Sequence, residues 1–424
     1  MNIENLYNLF TNSTGISTDT RSIKTGNLFI ALSGDNFNGN KFAEQAINNG
    51  AAHAIIDDIN YHIPGHTTVV SNTLKTLQEL ANYHRQQLNI PIIALTGSNG
   101  KTTTKELINT VLTQQYTTTA TIGNLNNHIG VPLTLLSMTQ ETEIGVVEMG
   151  ANNFGEIALL SDITQPDYGY ITNFGKAHLE GFGSLEGVVK AKSELYEYLR
   201  NHEKKAFVNI DNPKQIKQSE GIDCHSFSET EDSNTVVKFV EAKPYVNVAY
   251  KNHIIKSKLI GDYNFTNIAA AIAIGEQFKI TTENICKAIE QYTPNNNRSQ
   301  IIEKDTNKII LDAYNANPTS MKAALENFNQ LNTSKKALFI GDMFELGSTS
   351  LEEHQNIVNF IESTNIQDSY IIGEHFCNTK HASHIKSYKD FKALQDGFTN
   401  KLTNYTILIK GSRGMALERI LDLL

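Results

Sequence analysis

The chain has three cysteines in 424 residues: Cys224, Cys286 and Cys377. They lack metal-ligand spacing and their odd number prevents complete pairing, so neither a disulfide scaffold nor a zinc module is expected, and a reduced, cytoplasmic setting fits best. Positive charge is also short. Lys and Arg total 36 against 45 Asp and Glu, a formal net charge of −9, which argues against a general nucleic-acid binder. No apolar run approaches the roughly 18 residues of a membrane span. The opening Met1-Asn2-Ile3-Glu4-Asn5-Leu6 lacks the basic and apolar regions of a signal peptide. No Gly-x-Gly-x-x-Gly is present, so a dinucleotide fold is unsupported.

What is present is an ordinary soluble composition, 40% hydrophobic and 19% charged, at a length that calls for two or three domains. The most informative stretch is Thr96-Gly97-Ser98-Asn99-Gly100-Lys101-Thr102-Thr103-Thr104. It follows the apolar run Ile92-Ile93-Ala94-Leu95 and precedes Leu107, Ile108, Val111 and Leu112, which recur at helical spacing. Strand, glycine loop, Lys-Thr and helix describe a phosphate-binding P-loop. Gly97 and Gly100 let the N–H groups of Ser98, Asn99 and their neighbours close on phosphate oxygens. Lys101 supplies a charge, and the Thr102 hydroxyl suits an octahedral Mg²⁺. The general pattern asks for Gly at position 95, which is Leu here, so the loop is a shortened form.

Three segments follow from the pattern. Residues 1–84 read as a small α/β unit with strands near 27–32 and 54–56 and a helix near 42–50. Its Ser17-Thr18-Asp19-Thr20-Arg21 is either a capped turn with a surface Arg or a phosphate-ligand site built on Asp19 and Arg21. Residues 85–296 hold the P-loop, then an Asn- and Gly-rich loop at 123–132 that includes Asn127. The buried-strand pattern Ile144 to Gly150 carries Glu148 at its end, placed for a Mg²⁺ contact. A strand at 168–173 leads to His178, read as metal ligand, proton carrier or plain surface residue. A helix over 185–199 carries Lys190 and Lys192. Alternation between Val236 and Leu259 predicts antiparallel strands flanking the main sheet, and an alanine-rich helix covers 268–278. Of Asn264 and Asn267 at its start, one caps the helix and the other is free to meet a base edge. Residues 297–424 alternate strands (309–312, 337–341, 370–372, 406–409) with helices beginning near Pro318, Leu351, Asp390 and Gly414. The fold class is therefore α/β: a central P-loop parallel sheet plus flanking strands, and a C-terminal, mostly parallel Rossmann-like domain.

The ordered set 17–21, 96–104, Gly123-Asn-Leu-Asn-Asn-His-Ile-Gly-Val-Pro132, 147–150, His178-Leu-Glu-Gly-Phe-Gly-Ser184, Asp312-Ala-Tyr-Asn-Ala-Asn-Pro318, Gly341-Asp-Met-Phe-Glu-Leu-Gly347 and Lys410-Gly-Ser-Arg-Gly-Met415 resembles the Mur ligases, end to end. The resemblance implies three domains (UDP-sugar-binding, ATPase and Rossmann-like) and an ATP-dependent amide ligase of peptidoglycan synthesis acting through an acyl phosphate. The 312–318 and 341–347 stretches point to the member whose substrates are UDP-N-acetylmuramoyl-tripeptide and D-alanyl-D-alanine. The implied cofactors are ATP and Mg²⁺, two ions by family habit, with Lys192 at the position that is often carbamylated. By the same resemblance Asp19 and Arg21 meet the UDP moiety. Lys101 and Thr103 lie on the ATP phosphates. Thr102, Glu148 and His178 hold metal, and Asn267, Arg298 and Asp312 complete the nucleotide site. Asn127, Asn315 and Arg413 are assigned to substrate. The expected unit is a monomer. Two positions depart from the family habit: Asn297 stands where Gly usually precedes the Arg, and Tyr263 where His is common. Other amide ligases of the Mur or folylpolyglutamate type, a nucleic-acid-stimulated ATPase and a nucleotide-gated switch without amide synthesis remain alternative readings, separable by acceptor and product.

Overall fold

The computed structural model describes residues 2–424 and contains three main sheets. The first has four short parallel strands, Ile16–Ser17, Leu28–Ile30, His53–Ile56 and Thr67–Val69. The second has nine. Its parallel part runs, in spatial order, through Thr235–Ala242, Asp223–Ser228, Lys205–Asn209, Tyr168–Ile171, Ile92–Thr96, Ile144–Glu148 and Thr118–Ala120. Tyr245–Tyr250 and His253–Ile260 continue it antiparallel at one edge, as the alternation predicted. The third has six strands, the hairpin Gln300–Lys304 and Asn307–Asp312 followed by parallel Thr406–Lys410, Lys336–Gly341, Asp368–Ile372 and Ile385–Tyr388.

The central sheet is covered on both faces, and the P-loop strand shows how. Its residues are buried throughout, and side chains alternate between faces. Ile93 and Leu95 join a core with Leu107, Ile108, Val111 and Leu112 of the Lys101–Leu112 helix and with Ile268 to Ile274 of the Phe265–Gln277 helix. Ile92 and Ala94 enter a second core with Leu160, Leu195, Tyr196 and Leu199 from the opposite face. Fully burying each such aliphatic side chain contributes about 1.5–3 kcal/mol, so the loop that follows this strand leaves a rigid support.

The long helix Thr73–Leu88 ties the first sheet to the second. Leu77 and Leu80 pack in one core with Leu6 and Phe10. Arg85 reaches Asp167 at 2.7 Å and donates through Nε to the Thr164 carbonyl at 3.1 Å. Asp167 in turn accepts from the Ile92 N–H at 3.0 Å, which fixes the start of the P-loop strand.

Several local expectations change. The Asn-rich loop ends earlier than residue 132, because a helix starts at Gly130; the Asn127 Oδ1 accepts from the N–H groups of Ile129 and Gly130 at 3.1 and 2.9 Å. The C-terminal segment after Gly414 forms two 3-10 stretches, Arg413–Met415 and Leu417–Leu423, instead of an α-helix. Ala416, with φ of 47°, breaks them apart. Three strands, Asp223–Ser228, Gln300–Lys304 and Ile385–Tyr388, had no clear apolar signature, and partner strands define them.

Candidate nucleotide site

The loop after Thr96 needs both of its glycines. Gly97 has φ of 144° and Gly100 of 80°. A Cβ on Gly97 would lie 2.0 Å from the Thr172 Oγ1, and one on Gly100 would lie 2.7 Å from the Asn267 Oδ1. The end of the neighbouring strand braces the shortened loop. Thr172 Oγ1 and Asn173 Nδ2 donate to the Asn99 carbonyl at 2.6 and 2.9 Å, and the Ser98 N–H donates to the Asn173 carbonyl at 3.1 Å. The Lys101–Leu112 helix then begins with no side-chain cap. Its first N–H groups are left for an anion, which the helix dipole favours. The Lys101 Nζ donates to the Gly97 carbonyl at 2.8 Å. Burial pulls the Lys101 ammonium below its ordinary value, Glu148 opposes that pull, and Arg298 adds to it.

Loop and helix open onto a cavity of about 440 Å³. Ser98 to Thr103 form its floor, and Glu148, His178, Asn127 and Asn267 border it from the same domain. Arg298, Asp312, Tyr314, Asn315 and Lys410 border it from beyond the second boundary. Glu148 is buried at its strand end. Its Oε1 accepts from the Asn126 Nδ2 at 2.8 Å, while Oε2 is buried with no protein hydrogen-bond partner. An orphaned carboxylate oxygen is costly unless something meets it. With the nearly buried Thr102 hydroxyl in the same cavity, the donors are hard oxygens of the kind that Mg²⁺ prefers. Among the described residues, no group of three or more His, Cys, Asp or Glu side chains forms a metal cage. The set therefore fits an ion that keeps waters and phosphate oxygens in its shell.

The second and third sheets meet across this cavity. The Asn317 Nδ2 donates to the Asn99 Oδ1 of the P-loop at 2.7 Å, and the Lys176 N–H donates to the Thr319 Oγ1 at 3.0 Å. Lys176 pairs with Glu353 at 2.7 Å, and His178 hydrogen-bonds Glu345. That bond, ahead of a burial effect of opposite sign, holds the Glu345 carboxyl below its usual range. Both His178 and Glu345 sit at positive φ, 51° and 62°. Strain of that kind in two touching non-glycine residues is a mark of functional segments.

Other expected site residues fall into place unevenly. Asn264 stands at the start of the Phe265–Gln277 helix, but its side chain is not the cap; its Nδ2 donates to the Ile260 carbonyl at 2.7 Å. Asn267 lines the cavity with its amide partly committed, to Asn264 at 2.8 Å and Thr104 at 3.0 Å. Lys192 lies behind the wall, fully buried, its Nζ donating to the Ala151 carbonyl at 3.1 Å. Burial foremost, and then the charge of Lys101, push its amine down to about 7. Arg413 pairs with Glu418 at 2.9 Å and stands 6.0 Å from the Tyr314 ring, beside the cavity and outside its lining. Asp19 and Arg21 are not brought to the cavity. They pair with each other at 2.6 Å on the surface, where the Arg21 guanidinium holds the Asp19 carboxyl at about 2.

Lys410 and Asn317, polar residues at strand ends in the C-terminal domain, take specific partners that the sequence did not assign. Lys410 is buried and pairs with Asp312 at 2.6 Å; the two are register neighbours in adjacent parallel strands. Asn317 caps the Pro318–Gln330 helix with its Oδ1 while its Nδ2 reaches the P-loop. The Asn-Pro helix start was a usable signal for the cap, but the bridge to Asn99 was not.

A P-loop on a doubly covered parallel sheet, completed by a second α/β domain, defines a nucleotide-dependent enzyme with a site shared between domains. Comparison with known proteins makes the class specific. The Mur ligase family catalytic domain matches residues 12–96, the Mur ligase middle domain 95–275, and the Mur ligase glutamate ligase domain 297–413. The chain belongs to the Mur ligase family. It is 37% identical to the UDP-N-acetylmuramoyl-tripeptide–D-alanyl-D-alanine ligase of Bacillus subtilis (strain 168), over 96% of this chain and 92% of that one. Crystal structure I of MurF from Acinetobacter baumannii superposes with a TM-score of 0.84 at 30% identity, covering 98% of this chain and 97% of that one. MurF ligase from Thermotoga maritima, solved in complex with ADP, gives a TM-score of 0.84 at 26% identity with the same coverage.

Proposed function

We propose that the protein is an ATP-dependent ligase that joins D-alanyl-D-alanine to UDP-N-acetylmuramoyl-tripeptide, forming the pentapeptide precursor of peptidoglycan. The observation that carries this reading is the near full-length relation to ligases of that name, in a chain whose P-loop cavity is closed by its own C-terminal domain.

The chemistry needs the tripeptide carboxylate made reactive. A carboxylate oxygen attacks the γ-phosphorus of ATP, the bond to ADP breaks, and an acyl phosphate results. The amine of D-alanyl-D-alanine then attacks the acyl carbon, loses its proton, and phosphate leaves as the amide forms. Lys101 and the helix N-terminus bind and neutralise the phosphates, and Arg298 approaches them from the other domain. Glu148 and Thr102 would hold Mg²⁺, with His178 at a second position. Bound Mg²⁺ supplies charge neutralisation on the transferring phosphoryl group. Lys192, with its amine lowered to about 7, is suited to react as the neutral amine with carbon dioxide, and the resulting carbamate would place anionic oxygens beside Ala151, which lines the cavity. Asp312, fixed by Lys410, faces the nucleotide ribose. Asn267 has one N–H left for adenine, and Asn127, Asn315 and Arg413 flank the peptide substrates. The contacts of Asn317, Lys176 and Glu345 keep water from the acyl phosphate. Asp19 and Arg21 bind the UDP end. The reacting cavity is complete within one chain, which supports a monomer. Among the described residues no helix is long and apolar enough to cross a membrane.

Incubation with ATP, UDP-N-acetylmuramoyl-tripeptide and D-alanyl-D-alanine tests the reading by product mass. The expected result is one amide and one ADP per turnover, dependent on all three substrates. ATP hydrolysis without amide, or a clear preference for a single amino acid such as glutamate as acceptor, would contradict it.

A further inference from the structure

Arg298 occupies an unusual place. It lies between two non-glycine residues at positive φ, Asn297 at 56° and Ser299 at 50°, in the crossing between the second and third sheets. Its Nε is buried with no hydrogen-bond partner, and no carboxylate forms an ion pair with it among the described residues. The segment is nevertheless anchored on both sides. From the central domain, the Tyr263 hydroxyl hydrogen-bonds the Ser299 Oγ at 2.9 Å. From the C-terminal domain, the guanidinium carbon of Arg298 stands 3.9 Å over the ring of Tyr314. Tyr314 follows Asp312 by two residues on the segment leaving the Asn307–Asp312 strand, so its ring is positioned by the same sheet that holds Asp312 against Lys410.

We infer that Tyr314 is a positioning residue for Arg298: its ring face fixes the guanidinium plane so that the terminal N–H groups meet the ATP phosphates. This rests on the reading of Arg298 as a phosphate contact. The physical case is that a planar guanidinium stacks on an aromatic face without spending its donors. A carboxylate partner would hold Arg298 equally well, but it would occupy the fork and add negative charge where phosphates must enter. Stacking leaves both terminal nitrogens free. Arg298 and Tyr314 both lie beyond the second boundary, so the guanidinium is aimed within the C-terminal domain and meets the P-loop phosphates when the two domains are together.

The test compares Tyr314→Leu, Tyr314→Phe, Arg298→Ala and the Tyr314→Leu/Arg298→Ala double variant, with steady-state kinetics for each substrate and a melting temperature for each protein. Tyr314→Leu is expected to lower kcat/KM for ATP about tenfold, between the scales of an exposed and a desolvated cation–π contact, since both side chains are half-buried. KM for D-alanyl-D-alanine should stay within twofold. Tyr314→Phe, which keeps the ring face, should retain wild-type kinetics. In the Arg298→Ala background, Tyr314→Leu should have no further effect. The inference is overturned if Tyr314→Leu is near wild type while Arg298→Ala is impaired, if Tyr314→Phe is as impaired as Tyr314→Leu, or if the two losses multiply. Arg298→Ala with intact kcat/KM for ATP would remove the underlying reading of Arg298 itself, and this inference with it.

Discussion

Replacing Lys101 by Met keeps the length of the side chain and removes its charge. The Nζ has one protein partner, the Gly97 carbonyl at 2.8 Å, and burial already disfavours its ammonium form. The folded protein therefore loses one hydrogen bond, about 0.5–1.5 kcal/mol, and is relieved of a poorly solvated cation. Little net change in stability follows. Catalysis is different. A unit charge about 4 Å from a transferring phosphoryl oxygen contributes about 4 kcal/mol at an effective dielectric of 20, and removal of a single transition-state donor elsewhere costs about 2.7–4 kcal/mol. Both figures correspond to a loss of about 10² to 10³ in kcat. The assay pairs ADP release with amide formation, each at saturating substrates, and a melting curve controls for folding. A Lys101→Met protein within tenfold of wild-type kcat would refute the assignment of the P-loop as the phosphate site. A collapsed melting temperature would refute the claim that the charge serves catalysis and adds little to the fold.

Two further predictions come from buried charges. The folded-state value of Lys192 is about 7 against an ordinary 10.5, so between those pH values the unfolded chain binds more protons. This group therefore makes stability rise with pH, by at most about 2–3 kcal/mol from pH 7 to 9; in bicarbonate-free buffer Lys192→Met should lack that rise, and urea melts at both pH values with equal slopes for the two proteins would contradict it. Lys176→Ala should leave the nearly buried Glu353 without its cation across the domain gap. Because Lys176 is half exposed, the effect is taken as about 1 kcal/mol, read as a several-fold fall in kcat/KM and a larger radius of gyration in solution scattering; unchanged scattering and kinetics would show that this pair does not hold the domains together.

Much of the fold was legible because buried parallel strands announce themselves. Ile92 to Leu95 and Ile144 to Val147 are continuous apolar runs, and the helix that follows the P-loop repeats its apolar positions at helical spacing. The P-loop, Glu148 and His178 could be read locally, since the first two sit at strand ends and His178 on the segment that leaves the Tyr168–Ile171 strand. What the sequence hid is set by partners distant in the chain. Asp223–Ser228 is polar along much of its length and is a strand because it lies between Lys205–Asn209 and Thr235–Ala242. Lys410 belongs to the site because parallel register places it beside Asp312. Asn317 meets Asn99 from the other domain. No local pattern encodes such pairings. Asn264 illustrates the opposite error: its position suited a helix cap, but the Ile260 carbonyl claimed its side chain.

The central claim is that this cavity activates a carboxylate by phosphoryl transfer before an amine attacks. Tripeptide substrate labelled with ¹⁸O in its terminal carboxylate tests it most directly. The acyl-phosphate route predicts that one ¹⁸O appears in inorganic phosphate for each amide bond formed. Unlabelled phosphate accompanying full amide yield, or release of AMP and pyrophosphate in place of ADP, would contradict it.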